Sequence, residues 1–528
     1  MSNHAYESAA ALRPSSNGPI PISTLCERFS LAPASAEDAA VLNDLSILGV
    51  SVDSADTAPG ELFVGLPGFT VHGARFAADA VASGAVAVLT DADGAQIVHQ
   101  TAPGTPVLVH SDPRAVVGPL SAEVYHHPAR GLVTTAVTGT NGKTTTAYFL
   151  DAILSAHVGG CMVAGTVELR VGERSVESPR TTVEAPVLQR MMALAVEDKV
   201  GAASLEASSH AIVLHRLDGI VVDVAGFTNL QRDHLDFHKT MEGYLEAKAQ
   251  LFTPEHARRG VVCVDDQWGA ALAAEAPIEI DRVRAYPGET PADWWVSDAA
   301  VSMTDSATTF TLHGPDGEKI EASCPLPGLV NVQNAALALV MAIRAGVPAA
   351  TAAAALAGAH NIPGRMQRIS QRDGRRGLCI VDFAHTPDAM ELALKAVRPI
   401  TPGRLIVVFG SDGDRDQGKR PMLGEVCARL ADVLVVTDEN PRSEDPQLIR
   451  NAILEGVRGV RPDLTDVEEI TTWRGDAVRR GVELCGPDDT VIVTGKGHEP
   501  FLEMAGEFIR YNDAPVMAEA VEEKWGRA

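Results

Sequence analysis

Residues 133–150 read VTTAVTGTNGKTTTAYFL. A β-branched run leads into two glycines, then a lysine and three threonines, then a helix-forming stretch. Strand, glycine loop and helix N-terminus together form a phosphate-binding element, because the free N–H groups of the loop and first turn point at an anion. The usual spacing, G-x-x-x-x-G-K-[ST], is not met: five residues before Gly142 stands Val137, and the other loop glycine is Gly139. Gly139 and Gly142 still let the backbone approach phosphate closely. Lys143 offers a cation to the β- and γ-phosphates, and Thr144 a hydroxyl to Mg²⁺. A purely structural strand–helix turn is the plain alternative.

Beyond this loop, the chain bounds its own class. At 528 residues it is too long for one core, so about three domains are expected at ~100–200 residues each. It is 45% hydrophobic, 21% charged and 5% aromatic, a balance that fits a soluble α/β protein of parallel strands and helices. A net charge of -25 argues against a nucleic-acid-coating surface, which needs a basic face, but not against a nucleotide site built from a few local donors. Seven scattered cysteines without a C-x-x-C pair fit reduced thiols in the cytoplasm. No apolar run approaches the ~20 residues of a membrane span, so no membrane insertion is expected. Residues 1–20 are small, polar and aperiodic, and read as a disordered arm.

Three α/β regions follow: 21–131, 132–363 and 364–528. The first holds strands at ELFVGLPG (61–68) and GAVAVLT (84–90) and ends in YHHPARG, whose Pro and Gly suit a linker. The second is a parallel-sheet domain built on the phosphate loop. The third, Rossmann-like, has strands LCIVDFA, RLIVVFG, DVLVVTD and DTVIVTG, each ending in a polar loop: HTPD, SDGDRDQGKRP, ENPRSEDP and KGHEP. Open parallel sheets bind ligands beyond the carboxyl ends of their strands, so these loops make one candidate binding face. Glu206, at a strand end, can hold Mg²⁺ or simply cap a turn. His234 and His238, four apart, admit a zinc pair or a polar, solvated turn. Arg442 offers a planar fork to a carboxylate, or a surface salt bridge to Glu444 or Asp445.

T-G-T-N-G-K-T-T resembles the ATP loop of the Mur ligases, which build the peptide of bacterial cell-wall precursors. The resemblance continues in order through DSADTAPGELFVGLPG, SLEASSHAIVLHR, FTNLQRDHLDFH, YLEAKAQLF, PGRMQRI, VDFAHTPDAM, GDRDQGKRP, ENPRSEDP and GKGHE. It is to the branch of that family that joins meso-diaminopimelate to UDP-MurNAc-L-Ala-D-Glu. A monomer is expected, and the resemblance implies the use of ATP, two Mg²⁺ ions and a carbamate on Lys248. By it, Gly139, Thr140, Asn141, Gly142, Lys143, Thr144 and Thr145 hold phosphate, and Asn331 and Asn334 face adenine. Arg365, Asp382 and His385 close over the nucleotide. Thr144, Glu206, His234 and the carbamate of Lys248 serve the metals, and Lys143, Glu206, His234 and Lys248 carry catalysis. Val52, Ser54, Phe69, Thr70 and Val71 match the uridine side, and Thr181, Thr182, Ser208, Leu214 and Arg216 the dipeptide side. Arg415, Glu439, Asn440, Pro441, Arg442, Gly495 and Glu499 would form the diaminopimelate pocket, with Arg442 on the far carboxylate and Glu499 on the distal ammonium.

The sequence also departs from the family pattern. Ala55 replaces the Arg of D-S-R, Glu439 the Asp of D-N-P-R, Arg180 the Asn of N-T-T, and Leu214 a Gln. An L-lysine-adding ligase, a folylpolyglutamate synthetase-like ligase and a non-catalytic nucleotide-binding regulator are the alternatives. Thr144-Thr145 counts against the second, whose loop reads G-T-N-G-K-G-S. The third would not need the ENPR and GKGHE loops.

Overall fold

The structure, a computed structural model, describes residues 11–302 and 307–526. They form two compact units. One spans the chain to Trp295 with His313–Ile320 and Gln333–Leu356; the other comprises Val296–Leu312, Glu321–Val332 and Ala357–Ala528.

The smaller sheet of the first unit holds four parallel strands, β1 (Gly49–Ser51), β2 (Glu61–Val64), β3 (Ala87–Thr90) and β4 (Val107–Val109), in that spatial order, with the short segment Ala32–Pro33 antiparallel to β4. All of β2 and β3 is buried, as unalternating apolar runs require when both faces are covered. Helix α1 (Pro113–Val124) follows. The expected linker after it is packed: Tyr125 and Pro128 are buried, and His126 and His127 take left-handed φ of 59° and 53° to make the turn.

The same unit then builds the larger sheet. Its parallel strands are β5 (Val133–Thr138), β6 (Cys161–Ala164), β7 (Ala202–Glu206), β8 (Val222–Phe227), β9 (Ala257–Cys263) and β10 (Glu279–Arg284). Their order is β6-β7-β5-β8-β9-β10. Strand β5 therefore lies between β7 and β8, where chain direction across the sheet reverses, and the loop at its carboxyl end opens onto the crevice this topology creates. Helix α2 (Lys143–Val158) starts directly from that loop, and α3 (Ala185–Glu197) and α4 (Met241–Ala249) pack nearby. A further helix, α5 (Leu329–Arg344), carries the two asparagines expected near adenine.

Residues 1–10 of the expected disordered arm lie outside the described residues. From residue 12 onward that expectation fails. Leu12 is fully buried, and its carbonyl accepts a hydrogen bond from Arg190 Nε at 3.2 Å. The Arg13 guanidinium pairs with both Asp56 and Glu61, and the Ser15 amide donates to Glu197 at 3.0 Å. Asp56 and Glu61 are almost wholly buried, and buried carboxylates require a cation; Arg13 and Arg190 supply it.

The second unit contains β11 (Gln367–Ser370), β12 (Leu378–Val381), β13 (Leu405–Phe409), β14 (Val433–Val436), β15 (Val467–Glu469) and, after helix α6 (Arg474–Leu484), β16 (Thr490–Val493). The spatial order is β11-β12-β16-β13-β14-β15, parallel except for β11. The four expected strands are all present, with polar loops at their carboxyl ends. A hairpin, β17 (Phe501–Met504) and β18 (Glu507–Arg510), follows β16.

Candidate active site

The loop after β5 is held by its neighbour strand. Gly139 and Gly142 have φ of 144° and 91°, and added Cβ atoms would lie 1.9 Å from Thr228 Oγ1 and 2.3 Å from Asn334 Oδ1. Only glycine fits either position. Thr140 N donates to Asn229 O at 2.9 Å, Asn141 N to Asn229 Oδ1 at 3.1 Å, and Thr228 Oγ1 to Asn141 O at 2.6 Å. The TN pair that ends β8 is thus a brace for the loop, which sequence reasoning missed. Lys143 arches back and donates to Gly139 O and Thr140 O at 3.1 and 2.9 Å. Asn334 Oδ1 is buried without a hydrogen-bond partner beside Gly142, whereas Asn331 turns its amide to Pro327 O.

Thr144 and Glu206 meet: the hydroxyl donates to the Glu206 carboxylate at 3.0 Å, both groups buried. Thr166, from the turn after β6, adds its N–H at 2.8 Å and its hydroxyl at 2.9 Å to the same carboxylate. Thr181 Oγ1 lies 3.1 Å from the Thr166 hydroxyl. Thr182 Oγ1 donates to Glu206 O at 2.7 Å and accepts from Ser208 N at 3.0 Å. The residues expected on the dipeptide side are therefore laced to the strand end that carries Glu206.

Lys248, on α4, is 1% exposed and donates to Gly139 O at 2.7 Å. Burial, and then the charge of Lys143, hold its amine well below the usual lysine range. Its ammonium position lies 4.5 Å from the Tyr244 ring centroid. His234 heads the short helix Leu235–His238 with φ 53°, and burial lowers its basicity, with both Lys143 and Lys248 contributing. His238 stacks on Tyr244 at 4.9 Å and contacts Ser209 Oγ at 2.8 Å. His210, not singled out by the sequence, brings its ring to 4.9 Å from His234. Among the described residues, no three His, Cys, Asp or Glu side chains gather as metal ligands, so the zinc reading has no geometric support.

Between the first sheet and α3 lies a cavity of about 210 Å³. Val52 and Val71 line it as expected; Ser54, Phe69 and Thr70 are not among its walls, and Phe69 is 89% exposed. One wall is a cation cluster. Glu184 receives Arg216 at 2.9 Å, Arg180 at 3.2 Å and Arg114 at 3.7 Å, so three guanidinium groups share one carboxylate. Arg114 and Glu184 were not foreseen. Arg216 also donates to Thr182 O at 3.1 Å, and the Leu214 carbonyl accepts from Arg114 at 3.4 Å.

In the second unit, the carboxyl ends of β12, β13, β14 and β16 carry the remaining candidates. Asp382 accepts from Met366 N and Ala384 N, and burial raises its carboxyl above the usual range. Arg365 lies over the Phe383 ring at 4.3 Å, and the His385 ring meets Phe383 O at 2.9 Å. Arg415 is exposed. Glu439 is buried, with Oε2 unpartnered, and burial reinforced by Asp412 pushes its carboxyl up to about 8. An added Cβ on Gly495 (φ 107°) would lie 2.4 Å from that Glu439 oxygen, so glycine is required there.

Arg442 follows Pro441 with φ 55°. Its backbone is gripped by the hairpin: Arg442 N donates to Glu503 O at 3.0 Å and Ala505 N to Arg442 O at 2.7 Å. Its guanidinium sits 3.3 Å from Glu503 and 3.8 Å from Asp412. The alternative pairing with Glu444 or Asp445 is not formed. Glu444 instead takes Arg420 at 2.8 Å, and Asp445 caps the next helix. Behind the loops, fully buried Arg474 pairs with Asp513 at 2.8 Å and donates to Asp438 O and Thr494 O, tying the ends of β14 and β16 together.

Three family descriptions match separate stretches: Mur ligase family, catalytic domain, over 46–125; Mur ligase middle domain, over 137–342; and Mur ligase, glutamate ligase domain, over 364–497. The UDP-N-acetylmuramoyl-L-alanyl-D-glutamate–2,6-diaminopimelate ligase of Streptomyces avermitilis is 43% identical over 483 residues, 92% of this chain and 94% of that protein. The chain belongs to the Mur ligase family. A UDP-N-acetylmuramyl-tripeptide synthetase of Leifsonia xyli is 42% identical over 508 residues, 95% of this chain and 96% of that protein. A solved structure of a UDP-N-acetylmuramoyl-L-alanyl-D-glutamate–2,6-diaminopimelate ligase superposes with a TM-score of 0.64 at 31% identity, over 92% of this chain and 96% of the other. The Mur ligase fold is a three-domain α/β arrangement, and the three parallel sheets described above are its domains. Membership in this family makes the chain an ATP-dependent amide-forming ligase.

Proposed function

We propose that this ligase joins meso-diaminopimelate to the γ-carboxylate of D-glutamate in UDP-MurNAc-L-Ala-D-Glu, at the expense of ATP, in peptidoglycan precursor synthesis. The observation that carries the choice of amino acid is Arg442, held in a left-handed turn with its fork presented between Asp412 and Glu503. The 43% identical relative bears the name of that reaction.

The loop of Gly139–Thr145 is the proposed ATP site, with Asn334 at its flank; in the second unit, Arg365, Asp382 and His385 are the proposed nucleotide contacts. Lys143 carries the positive charge toward which the triphosphate is drawn, and the loop glycines admit its oxygens. The γ-phosphoryl group passes to the substrate carboxylate, giving an acyl phosphate and ADP. The amine of diaminopimelate attacks the acyl carbon, phosphate departs, and the nitrogen loses a proton as the amide forms. The cavity walled by Val52, Val71, Arg114 and Arg180 is the proposed nucleotide-acceptor site, with Arg216 paired to its Glu184 and with Thr181, Thr182 and Ser208 leading from it to Glu206.

The donor set suits the implied metals. Thr144 Oγ1 and the Glu206 carboxylate, 3.0 Å apart, are hard oxygen ligands of the kind Mg²⁺ prefers. Lys248 suits the implied carbamate, because only a neutral amine adds to CO₂, and burial disfavours the charged form of this lysine. With His234 it would serve a second Mg²⁺; the ions would neutralise charge developing on the transferred phosphoryl group. We further place domain limits at 21–131, 132–363 and 364–528, and take the acting species as a cytoplasmic monomer. Six of its seven cysteines are buried free thiols, and among the described residues no helix is long and apolar enough to cross a membrane.

Incubation of the protein with ATP, Mg²⁺, UDP-MurNAc-L-Ala-D-Glu and meso-diaminopimelate should release phosphate in step with tripeptide. No phosphate release with the complete mixture would refute the proposal. Faster turnover with L-lysine than with diaminopimelate would favour the lysine-adding alternative.

A further inference from the structure

GKGHE contains a lysine to which no role has yet been given. Lys496 lies just beyond β16, between Gly495 and Gly497, and its side chain is 0% exposed. A buried ammonium has three N–H bonds to satisfy. Lys496 has three acceptors within reach: Asn440 Oδ1 at 2.9 Å, Glu499 Oε2 at 3.1 Å and Phe501 O at 2.6 Å.

These acceptors belong to three different pieces of the proposed amino-acid pocket. Asn440 lies in ENPR, Glu499 in GKGHE, and Phe501 opens the hairpin whose residues Glu503 and Ala505 hold the Arg442 backbone. The Asn440 amide is fully specified by this arrangement. Its oxygen accepts from Lys496 and from Glu503 N at 3.1 Å, while its nitrogen donates to Glu499 Oε2 at 3.1 Å. Glu499 has one oxygen committed to Lys496 and Asn440, on a side chain that is 36% exposed and so accessible to a ligand. Without the lysine, Asn440 and Glu499 would lose the charge that fixes them, and the hairpin beneath Arg442 would lose an anchor.

We propose that Lys496 is a positioning residue for the amino-acid substrate, holding Glu499, Asn440 and the Arg442 turn in one register. It touches no substrate atom itself. The inference rests on the proposed reaction and deepens its amino-acid site.

The test is steady-state kinetics of the full chain with Lys496→Met and Lys496→Arg, varying each substrate in turn. Loss of charge-assisted bonds to two substrate-facing groups should raise KM for diaminopimelate about 10- to 100-fold. The change in kcat should stay within about threefold, with KM for ATP and for the UDP acceptor unchanged. A purely structural role would instead lower kcat or active fraction without this selective split. Lys496→Arg keeps the charge but cannot direct single donors to three divergent acceptors, so it should fall between wild type and Met. If Met abolishes cooperative melting, the Arg variant alone decides, by the same selective rise. An unchanged KM for diaminopimelate, or equal rises for all three substrates, overturns the inference. An inactive wild-type protein would overturn the proposed reaction, and the inference with it. An active wild type with indifferent variants would overturn the inference alone.

Discussion

Replacing Arg442 with Ala should convert this enzyme from one that selects a dicarboxylic amino acid into one that scarcely distinguishes it from L-lysine. The guanidinium is held by contacts of 3.3 and 3.8 Å to Glu503 and Asp412, looser than hydrogen bonds, so its N–H groups are not consumed by those neighbours. Removing it costs the substrate a charge-assisted pair, about 1.5–3 kcal/mol. It also leaves the far carboxylate of diaminopimelate facing two acids with no cation between. At an effective dielectric of about 20 and a separation of about 6 Å, one such repulsion is about 3 kcal/mol. The Arg442 side chain is 23% exposed, so solvent trims the total. A net loss of about 3–4 kcal/mol follows, or about 10²- to 10³-fold in kcat/KM.

L-Lysine has the same distal ammonium and no far carboxylate, so its kcat/KM should change by less than about threefold. Arg442→Lys should be intermediate, since an ammonium keeps the charge and loses the fork. The assay is phosphate release with each amino acid varied at saturating ATP and UDP acceptor. A fall of less than about tenfold for diaminopimelate would refute the reasoning, as would an equal fall for both amino acids.

Other perturbations probe other parts of the molecule. Glu439 has a carboxyl raised to about 8, so the fold favours its protonated form, and its stabilising effect is present below the ordinary glutamate range and lost as pH rises through 8. Thermal melting should show Glu439→Gln flattening this loss, by up to about 1.4 kcal/mol per pH unit; parallel curves for both proteins would contradict it. Lys248 is shifted the other way: burial disfavours its charged form in the folded protein, a cost that diminishes as pH rises towards 10.5. In CO₂-free buffer Lys248→Met should therefore melt higher than wild type at neutral pH, lose ligase activity, and converge in stability above pH 10; a lower melting point at neutral pH would be the contrary result. Gly142→Ala would force Cβ to 2.3 Å from Asn334 Oδ1 at φ 91°, a strain of about 1–3 kcal/mol, and calorimetry should find ATP affinity down at least about tenfold. Arg13→Ala would leave Asp56 and Glu61 short of a cation, and urea unfolding should show a loss of about 2–4 kcal/mol; under about 1 kcal/mol would mean the N-terminal segment is not part of the fold's framework.

What the sequence revealed, and what it hid, divides by the range of the interaction. The strand, glycine loop and helix at 133–158 were legible because their determinants are local: β-branched residues make β5, two glycines take positive φ, and Lys143 begins α2. The strands of the second unit were equally plain, since apolar runs of four or five residues between polar loops have few other uses. Arg13 was hidden because a lone arginine in a small, polar stretch looks disordered until the buried carboxylates of Asp56 and Glu61 are known. Adjacency misled at Arg442, where Glu444 and Asp445 were the near partners in sequence; the left-handed turn after Pro441 points the side chain away from them, toward Asp412 and Glu503.

Lys248 and Lys496 show the same limit more sharply. A lysine in a helix or charged loop reads as solvated, because most lysines are. Both are nearly sealed from water, and the fold resolves the cost in opposite ways. Lys248, beside Lys143, has its charged form disfavoured; Lys496 has an acceptor for each N–H, one of them a carboxylate. The first is thereby biased towards the free amine, while the second can hold other groups in place. Neither fate is written in the residues around it in sequence, because each is decided by which backbone carbonyls and side chains the sheets bring to the same point.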